Sequence, residues 1–598
     1  MFQSFDEKAD GTKGPDRLAA LREAMRRAKV DAFIVPRGDA FQGEYVAPCD
    51  ERLAWLTGFT GSAGYCIVTQ SSAGVFVDGR YRLQVRAQVA DVFTPVNWPE
   101  TTLVSWICEQ LNSGSKVAID PWLHSKSEAT ELRSGLEKKN IELVTTDNLV
   151  DQIWSDRPDR PNEPFSAYPL EFSGKSSSEK RSEVAGALVN AEQRAAILTL
   201  PDSIAWLLNI RGTDIEKNPV PQSFAILDAS GRATLYAPKS KAAPVLNHLG
   251  SDITVRAPED FLADVARLEG PVRIDPKSVP LVVVEALLAG KVAISEGDDP
   301  CDLPKAIKNP VELAGMREAH LRDGAAMCRF LHWLSENAPK GGVTEIDVVS
   351  ALEGFRRQTN DLLDISFDTI AGTGPNGAVI HYRVTQSSNR ELRQGDLIVV
   401  DSGGQYVDGT TDITRTIGIG TVGEDERHCY TRVLQGMIAI SRARFPKGVT
   451  GAHLDALARA PLWAEGMDYN HGTGHGVGVY LCVHEGPQAI SRRNSVPLEA
   501  GMILSNEPGY YRDGAFGIRI ENLVAVTPPR ALKDPGRQMM GFETLTFTPL
   551  DRNLISKDIL SPDEIEWINA YHSDTLSAIG PRLDGAALDW LKLACAPI

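Results

Sequence analysis

The apolar run Leu397–Val400 in "DLIVVDSGGQY" ends in a carboxylate, Asp401, and this junction constrains the chain more than any other feature of it. Such a run is expected as a deeply buried strand. An acid at its end is costly unless it is paired or bound to a cation. Asp412 follows eleven residues later, in "DGTTDITR". A chain reversal near Asp408-Gly409 makes the two flanking strands antiparallel neighbours, so that both acids reach one ionic centre. Glu507 lies in a second apolar strand, "ILSNEPGYY", which a proline and glycine turn brings to an end. In "GIRIEN", strand alternation puts Gly517, Arg519 and Glu521 on one face and Ile518 and Ile520 on the other. Arg519 and Glu521 therefore suit a partner and a ligand that point the same way.

Taken singly, each acid reads as an ion-paired or capping residue. Taken together, four carboxylates buried near one another repel, and divalent cations remove that repulsion. A histidine source is at hand in "HGTGHGVGVYLCVHEGP", which holds three of the chain's eleven histidines among closely spaced glycines. The glycines argue against a helix and let backbones approach closely. His475, the middle histidine, is the best fifth ligand. Four carboxylates and one histidine are the donor set of a binuclear site for manganese, cobalt or zinc. Such a pair brings a shared water to a pKa near neutrality and supplies a hydroxide nucleophile.

At 598 residues the chain exceeds one core and should divide into three or four domains. Proline-rich stretches at Ser155–Pro169 and Ser295–Pro310 mark divisions near 160 and 305. The two segments before these divisions echo each other, "LAWLTGFTGSAGYCIVTQ" against "IAWLLNIRGTDIEKNPV", which suggests a pair of similar α/β domains. Beyond residue 310 a long helix gives way to helices mixed with hairpin strands, an α+β pattern. The expected domains are 1–160, 161–308 and 309–598, the last with an extension from about 545. The formal net charge of −17 speaks against nucleic-acid and anionic-membrane partners. There is no apolar run long enough to span a membrane and no signal-peptide pattern. The eight scattered cysteines form no CxxC pair, which suits free thiols in the cytoplasm.

The motifs "GTGPNGAVIHYRV", "DSGGQYVDGTTDITR", "HGTGHGVG", "VHEGP", "EPGYY" and "DGAFGIRIEN", in this order, resemble those of the Xaa-Pro aminopeptidases, also called aminopeptidase P. These are pita-bread metallopeptidases, and the likeness is to their long, three-domain cytosolic form. "GFTGSAG" and "VDGRY" match its first domain, "IAWLLNIRGTDIEKNPV" the second, and "LTFTPLDRNLI" with "WLKLACAPI" its C-terminal extension. The resemblance implies two creatinase-like domains followed by a pita-bread catalytic domain, in a homodimer. It implies that Asp401, Asp412, His475, Glu507 and Glu521 bind two metal ions, usually manganese. Asp412 and Glu521 would each bridge both ions, Asp401 would bind one, and His475 and Glu507 the other. Glu507 is also the expected proton acceptor, and Arg519 would orient a bridging carboxylate. His381, His471 and His484 match the non-ligand histidines that line the proline pocket and stabilise the tetrahedral intermediate or move protons.

The expected reaction removes the N-terminal residue from peptides with proline second. That bond is a tertiary amide with no N–H, so a dedicated site is needed. Phe367 is either a wall of that site or plain core packing. Prolidase action, confined to Xaa-Pro dipeptides, is the nearest alternative. A non-catalytic binding protein on the same fold, or a metal-free creatinase-like hydrolase, fits poorly with five retained ligand types.

Overall fold

The computed structural model describes residues 1–598. The chain forms two compact units, Lys8–Asp302 and Leu303–Ile598, the second of which also takes in Met1–Glu7. From sequence those seven residues were expected with the first domain. They pack instead on the catalytic unit because the Phe2 amide donates to Glu353, and Gln3 both donates to the Thr369 carbonyl and accepts from its amide.

The first unit holds two six-stranded mixed sheets. One is built from β1 (Ala32–Pro36), β2 (Tyr65–Thr69), β3 (Ala73–Val77), β4 (Thr94–Asn97), β5 (Lys116–Ile119) and β6 (Glu142–Thr145). The other has β7 (Ala195–Leu198), β8 (Phe224–Asp228), β9 (Ala233–Tyr236), β10 (Ile253–Arg256), β11 (Val272–Ile274) and β12 (Ile294–Glu296). Their strand orders are β4-β3-β2-β1-β5-β6 and β10-β9-β8-β7-β11-β12, the same topology twice. The sequence echo is therefore a structural repeat. The repeats join through equivalent residues: the Lys126 amide donates to Val279 and the Leu281 amide to His124, while Ser127 donates to Pro276 and Val282 to Pro121. Such reciprocal pairing is what an approximate two-fold axis produces. The chain between Thr145 and Ser166 carries no helix or strand, as its prolines dictate.

The first long helix of the second unit is α1 (Pro310–Asn337), started by an Asn309–Glu312 capping box and by proline at its first turn. Next comes α2 (Glu345–Arg357), which opens on the expected Thr344–Asp347 box. Two sheets position the site. The first is antiparallel: β13 (Ile370–Thr373), β14 (Leu397–Ser402) and, past a hairpin of β15 (Gly404–Tyr406) and β16 (Gly409–Thr410), β17 (Ile413–Gly418). The second runs β19-β18-β20-β23-β24, from β18 (Gly474–Gly476), β19 (Glu485–Ile490), β20 (Ile503–Asn506), β23 (Asn522–Val526) and β24 (Phe542–Thr544). Between β20 and β23 in sequence lies the hairpin β21 (Gly509–Arg512) and β22 (Phe516–Arg519).

Chain reversal between Asp401 and Asp412 happens where expected, and α1 holds it. Arg322 on α1 grips Asp408 at the turn with two 3.0 Å bonds. "GIRIEN" keeps its two faces but is not one strand: β22 stops at Arg519 and β23 begins at Asn522. Ile518 and Ile520 enter the hydrophobic core, whereas Arg519 and Glu521 turn to the polar side. The C-terminal part adds α5 (Pro562–Ile579) and α6 (Gly585–Ala594), with α3 (Glu424–Ser441) and α4 (Gly451–Trp463) lying between the sheets in sequence.

Candidate active site

Each ligand candidate stands where a strand ends or bends. In the β14–β17 register Asp401 faces Thr414 and Ser402 faces Ile413, so Asp412 sits one residue before its strand, beside Asp401. Glu507 directly follows β20, and Glu521 directly precedes β23. Asn506 pairs with Asn522, which brings the two glutamates to the same edge. His475 lies on the short β18, whose register with β19 shifts between His475 and Gly476. Gly474 cannot be larger here: a Cβ would stand 1.9 Å from the Ser505 carbonyl oxygen. The glycines of the histidine-rich stretch thus let β18 press on β20.

These residues converge. Asp412, His475 and Glu521 each offer a ligand atom, all within 4.8 Å of one another. The His475 Nε2 lies 3.5 Å from both Asp412 Oδ2 and Glu507 Oε1. Its Nδ1 donates to the Gly476 carbonyl at 2.9 Å, which turns Nε2 toward these two carboxylates as the ring's ligand atom. Arg519, expected to orient a bridging carboxylate, instead takes a forked grip on Oδ2 of Asp401, the acid expected to bind one ion only, at 2.7 and 3.1 Å, because its strand points it across to the end of β14. Thr414 donates to Glu521 Oε2 at 2.8 Å, and Ser505 to Glu507 Oε1 at 3.1 Å. Asp401 Oδ1, Asp412 Oδ1 and Glu521 Oε1 are buried with no hydrogen-bond partner. Buried carboxylate oxygens without partners are rare, and three in one cluster are what a cation pair satisfies.

The electrostatics say the same. Burial raises the Asp401 carboxyl to about 6, Arg519 opposing and Asp412 and Glu507 adding to the rise. Burial, then the charges of Asp412, Glu507 and Asp401, push Glu521 well above the carboxylate range. Glu507 is also raised by burial, against the pull of His475 and Arg519. Burial alone would lower His475, but Asp412 and Glu507 outweigh it and lift the ring to about 9. In the metal-free chain these acids hold protons that the unfolded chain releases. Asp401 binds its proton up to about 6 when folded and up to 3.8 when free, so the metal-free fold loses stability as pH rises from about 4 through 6 and beyond. Glu507 and Glu521 act in the same sense. The His475 contribution is complete below 6.5 and is lost only as pH climbs through about 9. The melting temperature of metal-free protein should accordingly fall from pH 5 to pH 8, and added Mn2+ should raise it most at the upper end. A thermal-shift series over that range checks this; a flat metal-free profile would contradict it.

Of the other histidines, His484 stands edge-on to His475, ring centroids 4.3 Å apart. His471 lies between Tyr469 and Tyr511, at 4.8 and 5.5 Å; its Nδ1 donates to the Gly472 carbonyl at 2.7 Å and its Nε2 accepts from the Tyr511 hydroxyl at 2.9 Å. His381 is half-buried and follows the 3-10 turn Gly374–Ala378. Gly377 of that turn lies against β22, where a Cβ on Gly517 would stand 1.7 Å from the Gly377 carbonyl oxygen. Phe367, on the loop before β13, is nearly buried.

Sequence reasoning passed over Tyr511, whose hydroxyl also accepts from Arg519 Nη1 at 2.6 Å. Its signal was alternation: Glu507, Gly509 and Tyr511 are two apart. Thr414 could have been found the same way, two residues after Asp412. The bracket behind His471 had no such signal. There Arg459 on α4 bonds the His471 and Tyr469 carbonyls at 2.7 and 2.8 Å, and Asp455 accepts from Thr473 at 2.6 Å.

Residues 314–528 match the metallopeptidase family M24, and 538–598 match the C-terminal region of peptidase M24. Residues 17–153 and 156–312 each match a creatinase/prolidase N-terminal domain. A probable Xaa-Pro aminopeptidase P of Aspergillus niger is 41% identical, over 98% of this chain and 98% of the relative. The chain belongs to the Xaa-Pro aminopeptidase P family. A second member, from Talaromyces marneffei, is 40% identical over 98% of this chain and 92% of its own. Among solved structures, the X-prolyl aminopeptidase from Caenorhabditis elegans superposes with a TM-score of 0.93 at 32% identity, covering 98% of this chain and 100% of that one. It is described as a cytosolic enzyme with a di-nuclear active site. Two creatinase-like domains and a pita-bread catalytic domain are thus the architecture of this aminopeptidase P family member, as the motifs implied. No helix is long and apolar enough to cross a membrane.

Proposed function

We propose that this chain is a metal-dependent exopeptidase that releases the N-terminal residue from peptides with proline in second position. The observation that carries the reading is the set of partnerless buried carboxylate oxygens on Asp401, Asp412 and Glu521, together with the ligand atoms that Asp412, Glu521 and His475 bring within 4.8 Å of one another. These four residues and Glu507 would hold two divalent cations, Mn2+ before Zn2+ or Co2+. When bound, the ions supply Lewis-acid polarisation of the scissile carbonyl and a nucleophilic water near neutral pH.

The remaining work falls to protein groups. Glu507, aimed by the Ser505 hydroxyl, accepts the proton of the attacking water at a carboxylate oxygen and passes it to the leaving proline nitrogen. Arg519 keeps Asp401 ionised and fixed in direction. His484 presents a ring N–H toward the oxyanion, while His471, whose Nδ1 donates to the Gly472 carbonyl and whose Nε2 bonds the Tyr511 hydroxyl, walls the proline ring with its face beside Tyr469 and Tyr511. His381 completes the pocket. The proline amide carries no N–H, so its recognition falls to side chains that meet the ring. The enzyme acts in the cytoplasm as a homodimer, which sedimentation would test.

Assays of Arg-Pro-Pro beside an Arg-Pro dipeptide separate this reading from prolidase action. Release of arginine from the tripeptide at least about tenfold faster, an advantage of about 1.4 kcal/mol, is expected. Cleavage of the dipeptide alone would overturn it.

A further inference from the structure

Arg415 lies between Thr414 and Thr416 on β17 and is 1% exposed. A guanidinium so deep is normally neutralised by a carboxylate. Here all six hydrogen-bond acceptors are uncharged. Arg415 donates to the Thr414 carbonyl at 2.9 Å and the Glu521 carbonyl at 2.6 Å. It donates to Asn522 Oδ1 at 2.9 Å. The other three come from the C-terminal part of the chain: the Thr548 and Pro549 carbonyls at 2.7 and 3.2 Å and the Tyr571 hydroxyl at 2.8 Å.

The near side of this cage is the metal site. The Glu521 amide donates to the Thr414 carbonyl at 3.1 Å, and the Thr414 hydroxyl holds the Glu521 carboxylate. Both main-chain groups of Glu521 and one of its carboxylate oxygens are thus fixed by residues 414 and 415. The far side is the C-terminal region. The Tyr571 hydroxyl also bonds the Thr546 and Thr548 carbonyls at 3.0 and 2.9 Å and accepts from the Thr548 amide at 3.2 Å. Its ring stacks on Trp567, centroids 5.2 Å apart.

We propose that the C-terminal region is a working part of the metal centre: Tyr571 and the carbonyls of Thr548 and Pro549 hold Arg415, and Arg415 positions Glu521. Arg415 and Tyr571 are positioning residues and touch no substrate. The planar fork of arginine is what lets one side chain satisfy acceptors on both sides, which a lysine ammonium with three donors does not. The inference rests on Glu521 being a metal ligand.

Calorimetric titration of Mn2+ into metal-free full-length protein tests it without reference to activity. Tyr571→Phe removes one hydroxyl and keeps the ring packing. It should weaken Mn2+ binding by about tenfold, the scale set by partners of metal ligands. Arg415→Lys should weaken it further. Leu588→Ala, in the same region but packed on the cluster around Cys328 and Cys595, should lower thermal stability and bind Mn2+ as the unaltered chain does. Unchanged binding in Tyr571→Phe, or equal weakening in Tyr571→Phe and Leu588→Ala, would overturn the inference alone. No Mn2+ uptake by the unaltered chain would overturn both it and the metal-centre reading beneath it.

Discussion

Glu521→Gln is expected to lower kcat/KM by at least about 10³ while raising the melting temperature of the metal-free protein. The first effect follows from the proposed role of Glu521 as a metal ligand, a contribution to the transition state of several kcal/mol at about 1.4 for each factor of ten. The second follows from burial. Glu521 is pushed well above the carboxylate range by desolvation and by three neighbouring acids, so the metal-free fold keeps its proton to higher pH than the unfolded chain does, and loses stability as pH rises. Glutamine has nearly the same shape, can still accept from Thr414, and carries no such penalty. A variant more stable yet nearly inactive separates lost chemistry from lost folding. Steady-state kinetics on a proline-second peptide, with thermal melts of chelated protein at pH 8, checks both. A less stable, fully active Glu521→Gln protein would contradict the account.

Arg519→Lys tests the partner of the other end of the site. Arg519 spans Asp401 and the Tyr511 hydroxyl at once, and Tyr511 in turn meets His471. Lysine keeps the charge but loses the planar fork, so it can hold Asp401 or Tyr511, not both. Activity should drop about 10- to 100-fold, the usual range for groups that orient metal ligands. In metal-free protein stability should suffer less than in Arg519→Met, which there strands Asp401 without a counter-charge and costs about 3–5 kcal/mol. Comparing kcat/KM and melting temperature for the two variants decides this. Equal stability in both would mean that the charge of Arg519 contributes nothing to the fold.

Much of the site was legible because its logic is electrostatic and local. An acid placed at the end of an apolar run, as at Asp401, is visible in sequence. So is the reversal at Asp408-Gly409 that returns the chain to Asp412. The period-two face of "GIRIEN" was legible too, since Ile518 and Ile520 needed the core and forced Arg519 and Glu521 the other way. The break between β22 and β23 was not, because the same residues could continue a strand and tertiary pairing chose otherwise. The repeat of the N-terminal domains was only faint in sequence, since strand order and handedness survive when side chains drift. Arg415 and Tyr571 left no trace at all. Their six-acceptor cage joins residues as far apart as 414 and 571, and one sequence carries no record of such distant contacts.

The placement of Met1–Glu7 was illegible for the same reason. Nothing in "MFQSFDE" reveals that the Phe2 amide will find Glu353. By contrast Tyr511 and Thr414 lay within reach of the alternation rule applied one step further along strands already identified. Hydrogen-bonding side chains two residues from a buried acid, on the same face, are the natural place to seek the groups that aim it.

The central claim is that Asp401, Asp412, His475, Glu507 and Glu521 converge because two cations hold them together, and metal content measured against activity tests it most directly. Protein purified, exhaustively chelated and verified free of metal should cleave no proline-second peptide, and should regain activity as Mn2+ is restored up to two ions per chain. Full activity in the verified metal-free preparation would contradict the account.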